Sequence, residues 1–255
     1  MKRSLRTLIL LSRNDLRSRY AGSALGIVWA YAAPLMTLLI FWWIFECGYR
    51  NPPVKQVPYI LWFACGYIPW IYFSDACLSG TACLQEYSFL VKKMYFPVWQ
   101  LPFVRLLSCL KVHSFFIFIL ILSAIFAGLS PRASWLLLIY SDLSLSALAF
   151  SLMQIFALVT VRFRDMLSLI NVLLQIGFWA SPILWEPEAI PDLRIRYLLK
   201  LNPMCYLIGC FRSALLGTEG ISVRESVRFW LLTVILFLYG RRLYQRLAPV
   251  LADEL

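Results

Sequence analysis

Residues 20–45 read YAGSALGIVWAYAAPLMTLLIFWWIF, and none of them is Asp, Glu, Lys or Arg. An α-helix rises about 1.5 Å per residue, so about 20 mainly apolar residues cross the roughly 30 Å hydrocarbon core of a bilayer. The stretch is long enough, and its few polar residues do not recur on one face as they do in a soluble amphipathic helix. Four further runs repeat the pattern. Residues 56–74, 112–131 and 166–185 carry no charge, and residues 133–161 carry only Asp142. A sixth run, residues 229–240, is twelve residues long between Arg228 and Arg241. As a helix it covers only about 18 Å. We expect it to span with its flanking arginines snorkelling to the interface.

Composition agrees with these runs. The chain has 255 residues, of which 61% are hydrophobic and 15% charged. Soluble domains are about 45–50% apolar and about 25% charged. We expect an all-α integral membrane protein forming a single domain over residues 1–255. The net charge is +11. The basic residues cluster between apolar runs and build no basic face of the kind that grips nucleic acid. Seven cysteines without a CxxC, most of them inside apolar runs, read as small apolar side chains and not as a disulfide or metal framework. The single histidine, His113, offers no ligand cluster, so no metal site is expected.

Residues 1–20 are no signal peptide, because their basic stretch brackets only a four-residue apolar run. Leu5, Leu8, Ile9, Leu16 and Tyr20 alternate with Arg6, Arg13, Arg17 and Arg19. That reads as a basic amphipathic helix on the membrane surface. Lys and Arg counts set the orientation. They crowd the N-terminal segment, the loop holding Lys92, Lys93, Arg105 and Lys111, the pair Arg162 and Arg164, and the tail with Arg241, Arg242 and Arg246. The opposite loops hold Arg50 and Lys55, then Arg132. The positive-inside rule therefore puts both termini in the cytoplasm. Residues 186–225 fall outside, and their apolar pieces, broken by Pro203 and Gly209, fit a re-entrant helical segment.

The chemistry is sparse. No GxxxxGK[ST] occurs, so the chain has no phosphate-cradling loop for ATP, and neither HExxH nor GxSxG is present. Asp75 and Asp142 are candidate intramembrane polar residues, although each also suits an interface position. Many of the aromatics fit an interfacial belt. Trp42, Phe178 and Trp179 fit it less well, and aromatic faces also stack on sugars. Residues 84–102 form a cytoplasmic loop whose stretch QEYSFLVKKMYFP, residues 85–97, is amphipathic and basic. Such a helix can lie in a groove of a partner protein or on anionic lipid.

Five segments, in order, resemble one family. These are RNDLRSRYAGSALG at 13–26 with Trp29 and Pro34 following; LVKKMYFP at 90–97; RFRD at 162–165 with QIGFWASPI at 175–183; LNPM at 201–204; and FRSALLG at 211–217. The closing LAPVLADEL at 247–255 fits the same pattern. The chain resembles the ABC-2 type permeases that export polysaccharides. The resemblance implies six membrane spans, a homodimer, and two copies of a separate ATP-binding subunit that holds the ATP and Mg, with no cofactor on this chain. It implies a lipid-linked glycan as cargo, O-antigen favoured over capsular polysaccharide or teichoic acid, and a site in the bacterial inner membrane. It also implies that Glu86, Tyr87, Lys92, Lys93, Tyr95, Phe96 and Pro97 lie where the ATPase docks. A secondary carrier or a membrane-bound transferase is the competing class, and a drug exporter of the same fold is a third reading.

Overall fold

The computed structural model describes residues 2–49, 53–54, 57–89, 98–163, 165–217 and 221–247, with side chains from Thr7 onward. The described residues are helical throughout, apart from turns and one isolated bridge between Val54 and Val57. The helices are α1 (Lys2–Arg19), α2 (Trp29–Trp42), α3 (Tyr59–Glu86), α4 (Gln100–Phe126), α5 (Leu137–Arg162), α6 (Met166–Ala180), α7 (Leu193–Leu199), α8 (Pro203–Leu216) and α9 (Val223–Leu247). Lys92, Lys93, Tyr95, Phe96, Pro97, Arg164 and the 248–255 tail lie outside the described residues.

The bundle is built around α3. Every residue from 61 to 70 is buried, as expected of a helix that is apolar on all sides. Helices α2, α4, α5, α6 and α8 pack against it, and α9 packs along α5. Helix α1 lies on α4. Its buried face is Leu8, Ser12, Asp15 and Leu16, while Ile9 and Leu10 are exposed. Leu8 and Leu16 of the expected apolar stripe thus face inward, Ile9 does not, and Ser12 and Asp15 share the inner face with the two leucines. A turn then leads to α2, with Gly22 at φ +95°, a left-handed conformation that glycine adopts without strain.

Among the described residues, three helical stretches are long and apolar enough to cross a membrane: Gly26–Gly48, Gln100–Phe126 and Ala133–Arg162. Three runs differ from their charge-free limits. The first run is helical only from Gly26, after the turn. The 166–185 run is no continuous helix: α6 stops at Ala180 after 15 residues, about 22 Å. Phe178 and Trp179 therefore lie in its last turn and not midway along a span. The last run is the reverse case. Helix α9 has 25 residues, about 37 Å, and continues through Arg228 and Arg241. Charge-free length marks where arginines stop, whereas the helix ends where backbone hydrogen bonding does, and arginine stems lie readily along a helix.

Within residues 186–225 stand two helices of opposite character. Helix α7 is exposed, and Asp192 caps it by accepting from the Arg194 amide at 2.7 Å. Helix α8 is buried on most of its surface and packs on α3 and α5. Asn202 caps it by accepting from the Met204 amide at 2.9 Å, and Pro203 sits at its first position, where a missing N–H costs nothing.

Candidate functional site

Where α1, α3 and α4 meet, two opposite charges are closed off from water. Asp15 of α1 is 0% exposed and Arg105 of α4 is 1% exposed. One guanidinium arm of Arg105 lies 3.0 Å from Asp15 Oδ1. The other pairs with Glu86, the last residue of α3. Tyr87, which caps α3, donates its hydroxyl to Asp15 Oδ1, and the Arg105 guanidinium lies 5.4 Å from the Tyr87 ring centroid. Burial first, and then the bond to Asp15, push the Tyr87 phenol above its ordinary range, so it stays protonated and donates.

The same seam continues along α4. Ser108 Oγ donates to the Ser12 carbonyl at 2.9 Å, and Lys111 Nζ donates to Ser12 Oγ at 2.8 Å. At the end of α1, Arg19 forks onto Asp75 of α3, with nitrogen–oxygen distances of 3.0 and 3.3 Å. The buried Arg105 and Asp15 have little freedom, because separating them strands two charges away from water, while the exposed Glu86 adds a contact from the end of α3. The arrangement makes α1, the end of α3 and the start of α4 one mechanical unit, and the 84–102 loop begins at that unit.

Both candidate acids prove to be paired. Asp75 holds Arg19, and Asp142 of α5 meets His113 Nε2 of α4 at 2.9 Å. The Tyr72 ring stacks on His113 at 4.4 Å, and its hydroxyl lies 2.9 Å from Ser146 Oγ. This second cluster joins α3, α4 and α5 within the bundle. Among the described residues, no three His, Cys, Asp or Glu side chains stand close enough to hold a metal.

The end of α6 is tied down from three sides. Tyr59 donates to the Leu184 carbonyl at 3.0 Å, Asn202 Nδ2 donates to Ser181 Oγ at 3.0 Å, and buried Arg212 of α8 donates to the Ile183 carbonyl at 3.3 Å. Arg212 also lies 3.4 Å over the Trp62 ring, a cation–π contact. The aromatic candidates then separate. Trp179 is 68% exposed and Trp42, on α2, is 46% exposed. Phe178 is half-buried, with its ring 6.0 Å from that of Trp70 and 6.5 Å from that of Tyr67. It packs on the bundle, whereas the two tryptophans face outward.

Of the candidate coupling residues, Glu86 and Tyr87 stand at the edge of the buried Asp15–Arg105 pair, Glu86 exposed and Tyr87 half-buried, and the other five lie outside the described residues. Sequence reasoning missed Asp15, Arg105, Arg19 and Arg212 as a working set. A signal existed for Arg105, the one charge within LPFVRLLSCL at 101–110. Nothing in the sequence pointed it at Asp15.

The comparisons with known proteins cover this architecture. A protein from Myxococcus xanthus called O-antigen export system permease protein RfbA is 28% identical over 209 residues, 81% of this chain and 78% of that protein. Two Klebsiella pneumoniae proteins of the same name are 26% and 25% identical, each over 96% of this chain and 94% of theirs. The family described as ABC-2 type transporter matches residues 6–216. That stretch runs from α1 to the end of α8 and takes in the whole charged seam, so the chain belongs to the ABC-2 type transporter family.

Proposed function

We propose that the chain is the channel-forming membrane subunit of an exporter for a lipid-linked polysaccharide, O-antigen favoured, working as a homodimer with two copies of a separate ATPase. In this reading Gly26–Gly48, α3, α4, Ala133–Arg162, α6 and α9 are six spans. Both termini are cytoplasmic, and α7 and α8 form the re-entrant segment on the far side. The membrane is the bacterial inner membrane. The relatives' names support the cargo, since they concern O-antigen export in three bacterial proteins.

The observation that carries the mechanism is the bridge from Arg105 to both Asp15 and Glu86. ATP closure in the partner subunits pushes on the 84–102 loop. Glu86 and Tyr87 stand at the root of that loop, so the push reaches Arg105 and, through Asp15, the whole of α1. Arg19 passes it on to Asp75 in the middle of α3. A rigid central helix with its ends held in this way turns a cytoplasmic push into relative movement of spans, and the dimer interface opens. The exposed Trp42 and Trp179 offer sugar-stacking faces along the opened path, with no fixed charge to trap a long glycan.

Deletion of the chain in its host, with the partner ATPase left intact, tests the reading. Surface glycan should disappear while lipid-linked glycan builds up on the cytoplasmic face. Unchanged surface glycan would exclude the proposal.

A further inference from the structure

Helix α2 is held unevenly along its length. Rings grip its C-terminal end. Phe41 lies 4.7 Å from Phe63, and in the turns that follow Phe45 lies 4.8 Å from Tyr59. Glu46 then accepts from the Ile60 amide at 3.3 Å. The N-terminal half carries small residues instead. Ala30 is the one buried residue of α2, and Tyr31 meets Phe115 of α4 edge to face at 4.9 Å.

Behind that half lies a cavity of about 180 Å³ between α2, α3 and α4. Ala30, Ala33 and Pro34 form its wall on α2, with Tyr72, Asp75 and Val112 among the residues opposite. A gap forfeits the dispersion contacts that packed walls would make, and small side chains let one spanning helix approach another closely. Asp75 is the one carboxylate of the lining. It does not oppose closure, because Arg19 already takes both its oxygens. Water can therefore leave the cavity without stranding a charge.

Both ends of the N-terminal half are built to bend. The turn from α1 to α2 holds Gly22 at φ +95° and Gly26 at φ +53°, a backbone that other residues adopt only with strain. Beyond the chain neighbours, nothing lies within 4 Å of where a Cβ would stand on either glycine, so the turn has room to move. At the other end Pro34 removes the amide that would bond to the Ala30 carbonyl, which weakens the helix there.

We propose that residues 29–34 form a strap that closes onto this cavity, bending in the 20–28 turn and at Pro34. The strap rests on the export reading, because ATP closure in the partner subunits supplies the push, delivered through α1. The turn joins α1 directly to the strap, and Arg19, the last residue of α1, stands beside the cavity on Asp75. The C-terminal end of α2, gripped by the rings of α3, stays in place.

Paired cysteines test this in the reconstituted complex with the partner ATPase, in a chain otherwise free of cysteine. Ala33→Cys with Val112→Cys puts one thiol on each wall, and a disulfide forms only when the Cα atoms come within about 7 Å. Under mild oxidant this pair should cross-link rapidly with ATP trapped and slowly without nucleotide. The cross-linked complex should stop exporting until it is reduced. Ala32→Cys with Val112→Cys, whose first thiol lies off the lining, should cross-link in neither state. Equal rates with and without trapped ATP, no cross-link in either state, equal cross-linking by the Ala32 pair, or undiminished export by the cross-linked chain would overturn the strap. Ala33→Phe gives a second readout, since it fills the cavity. It should lose export while ATP hydrolysis and melting temperature hold, and Ala32→Phe should keep export. Normal export by Ala33→Phe would also overturn the strap. Failure of the export reading shows separately, as no ATP-dependent transfer by the wild type.

Discussion

Arg105 and Asp15 approach to 3.0 Å at the junction of α1, α3 and α4, where neither side chain meets water. The same guanidinium also holds Glu86, so a single residue of α4 binds both the N-terminal helix and the last residue of the central helix. The pair is therefore placed to matter in two separable ways, for folding and for transmission of movement.

The folding role has a direct test. Removing one member of a buried ion pair costs about 3–5 kcal/mol, whereas replacing both with apolar residues is often neutral. Asp15→Leu alone should lower the melting temperature of the detergent-purified chain markedly. Asp15→Leu combined with Arg105→Met should recover most of the loss. A double variant no more stable than the single one would remove the case for an Asp15–Arg105 pair.

Tyr87 gives a milder lever. Tyr87→Phe keeps the ring beside Arg105 and deletes only the hydroxyl that donates to Asp15. A hydrogen bond to a charged group contributes about 1.5–3 kcal/mol. The variant should insert and assemble, hydrolyse ATP with its partner, and export less glycan. Cellular glycan immunoblots, read beside ATPase rates of the purified complex, measure both.

The outward tryptophans and the inward phenylalanine should part company. Phe178→Ala removes a ring packed on Tyr67 and Trp70 and should destabilise the chain by about 1–3 kcal/mol, less than a fully buried phenylalanine would. Trp42→Ala with Trp179→Ala should leave the melting temperature within a degree or two, since both rings are largely exposed. If those rings line the glycan path, the double variant should shorten exported chains at normal expression. Full-length glycan at wild-type amounts would remove them from the path.

The orientation is open to labelling. A single cysteine at position 92 in a cysteine-free chain should react with a membrane-impermeant maleimide only in inverted vesicles, and one at position 194 only in intact cells with a permeabilised outer layer. The opposite pattern at either position would reverse the topology.

The fold was legible where apolar length and helix length coincide. That holds best for α4 and α5, helices of 27 and 26 residues that take in most of the runs 112–131 and 133–161. It failed for α6, because Ser181 and the bonds from Tyr59, Asn202 and Arg212 end the helix inside an apolar run. It failed again for α9, because arginines interrupt a composition window without interrupting a helix. The charged seam was half legible. Glu86 and Tyr87 stand in a stretch with a recognisable amphipathic pattern, but Asp15 reads as one polar residue among many in RNDLR. Its burial comes from the packing of α1 on α4. His113 offered no ligand cluster in the sequence, and Asp142 stood out as a charge inside an apolar run. Their pairing depends on how α4 and α5 face each other, which no local pattern encodes.

The central claim is that ATP hydrolysis in a partner subunit drives glycan across the membrane through the Arg105 bridge. The most direct measurement is ATP-driven transfer of lipid-linked glycan in proteoliposomes that contain this chain and its partner ATPase, with hydrolysis recorded in the same vesicles. The wild type should transfer glycan only with ATP. Asp15→Asn, which keeps the side-chain shape and removes the charge, should retain at least half of the hydrolysis while transfer falls about tenfold, the equivalent of about 1.4 kcal/mol of lost coupling. Transfer without ATP, or transfer by Asp15→Asn at the wild-type ratio to hydrolysis, would contradict the account.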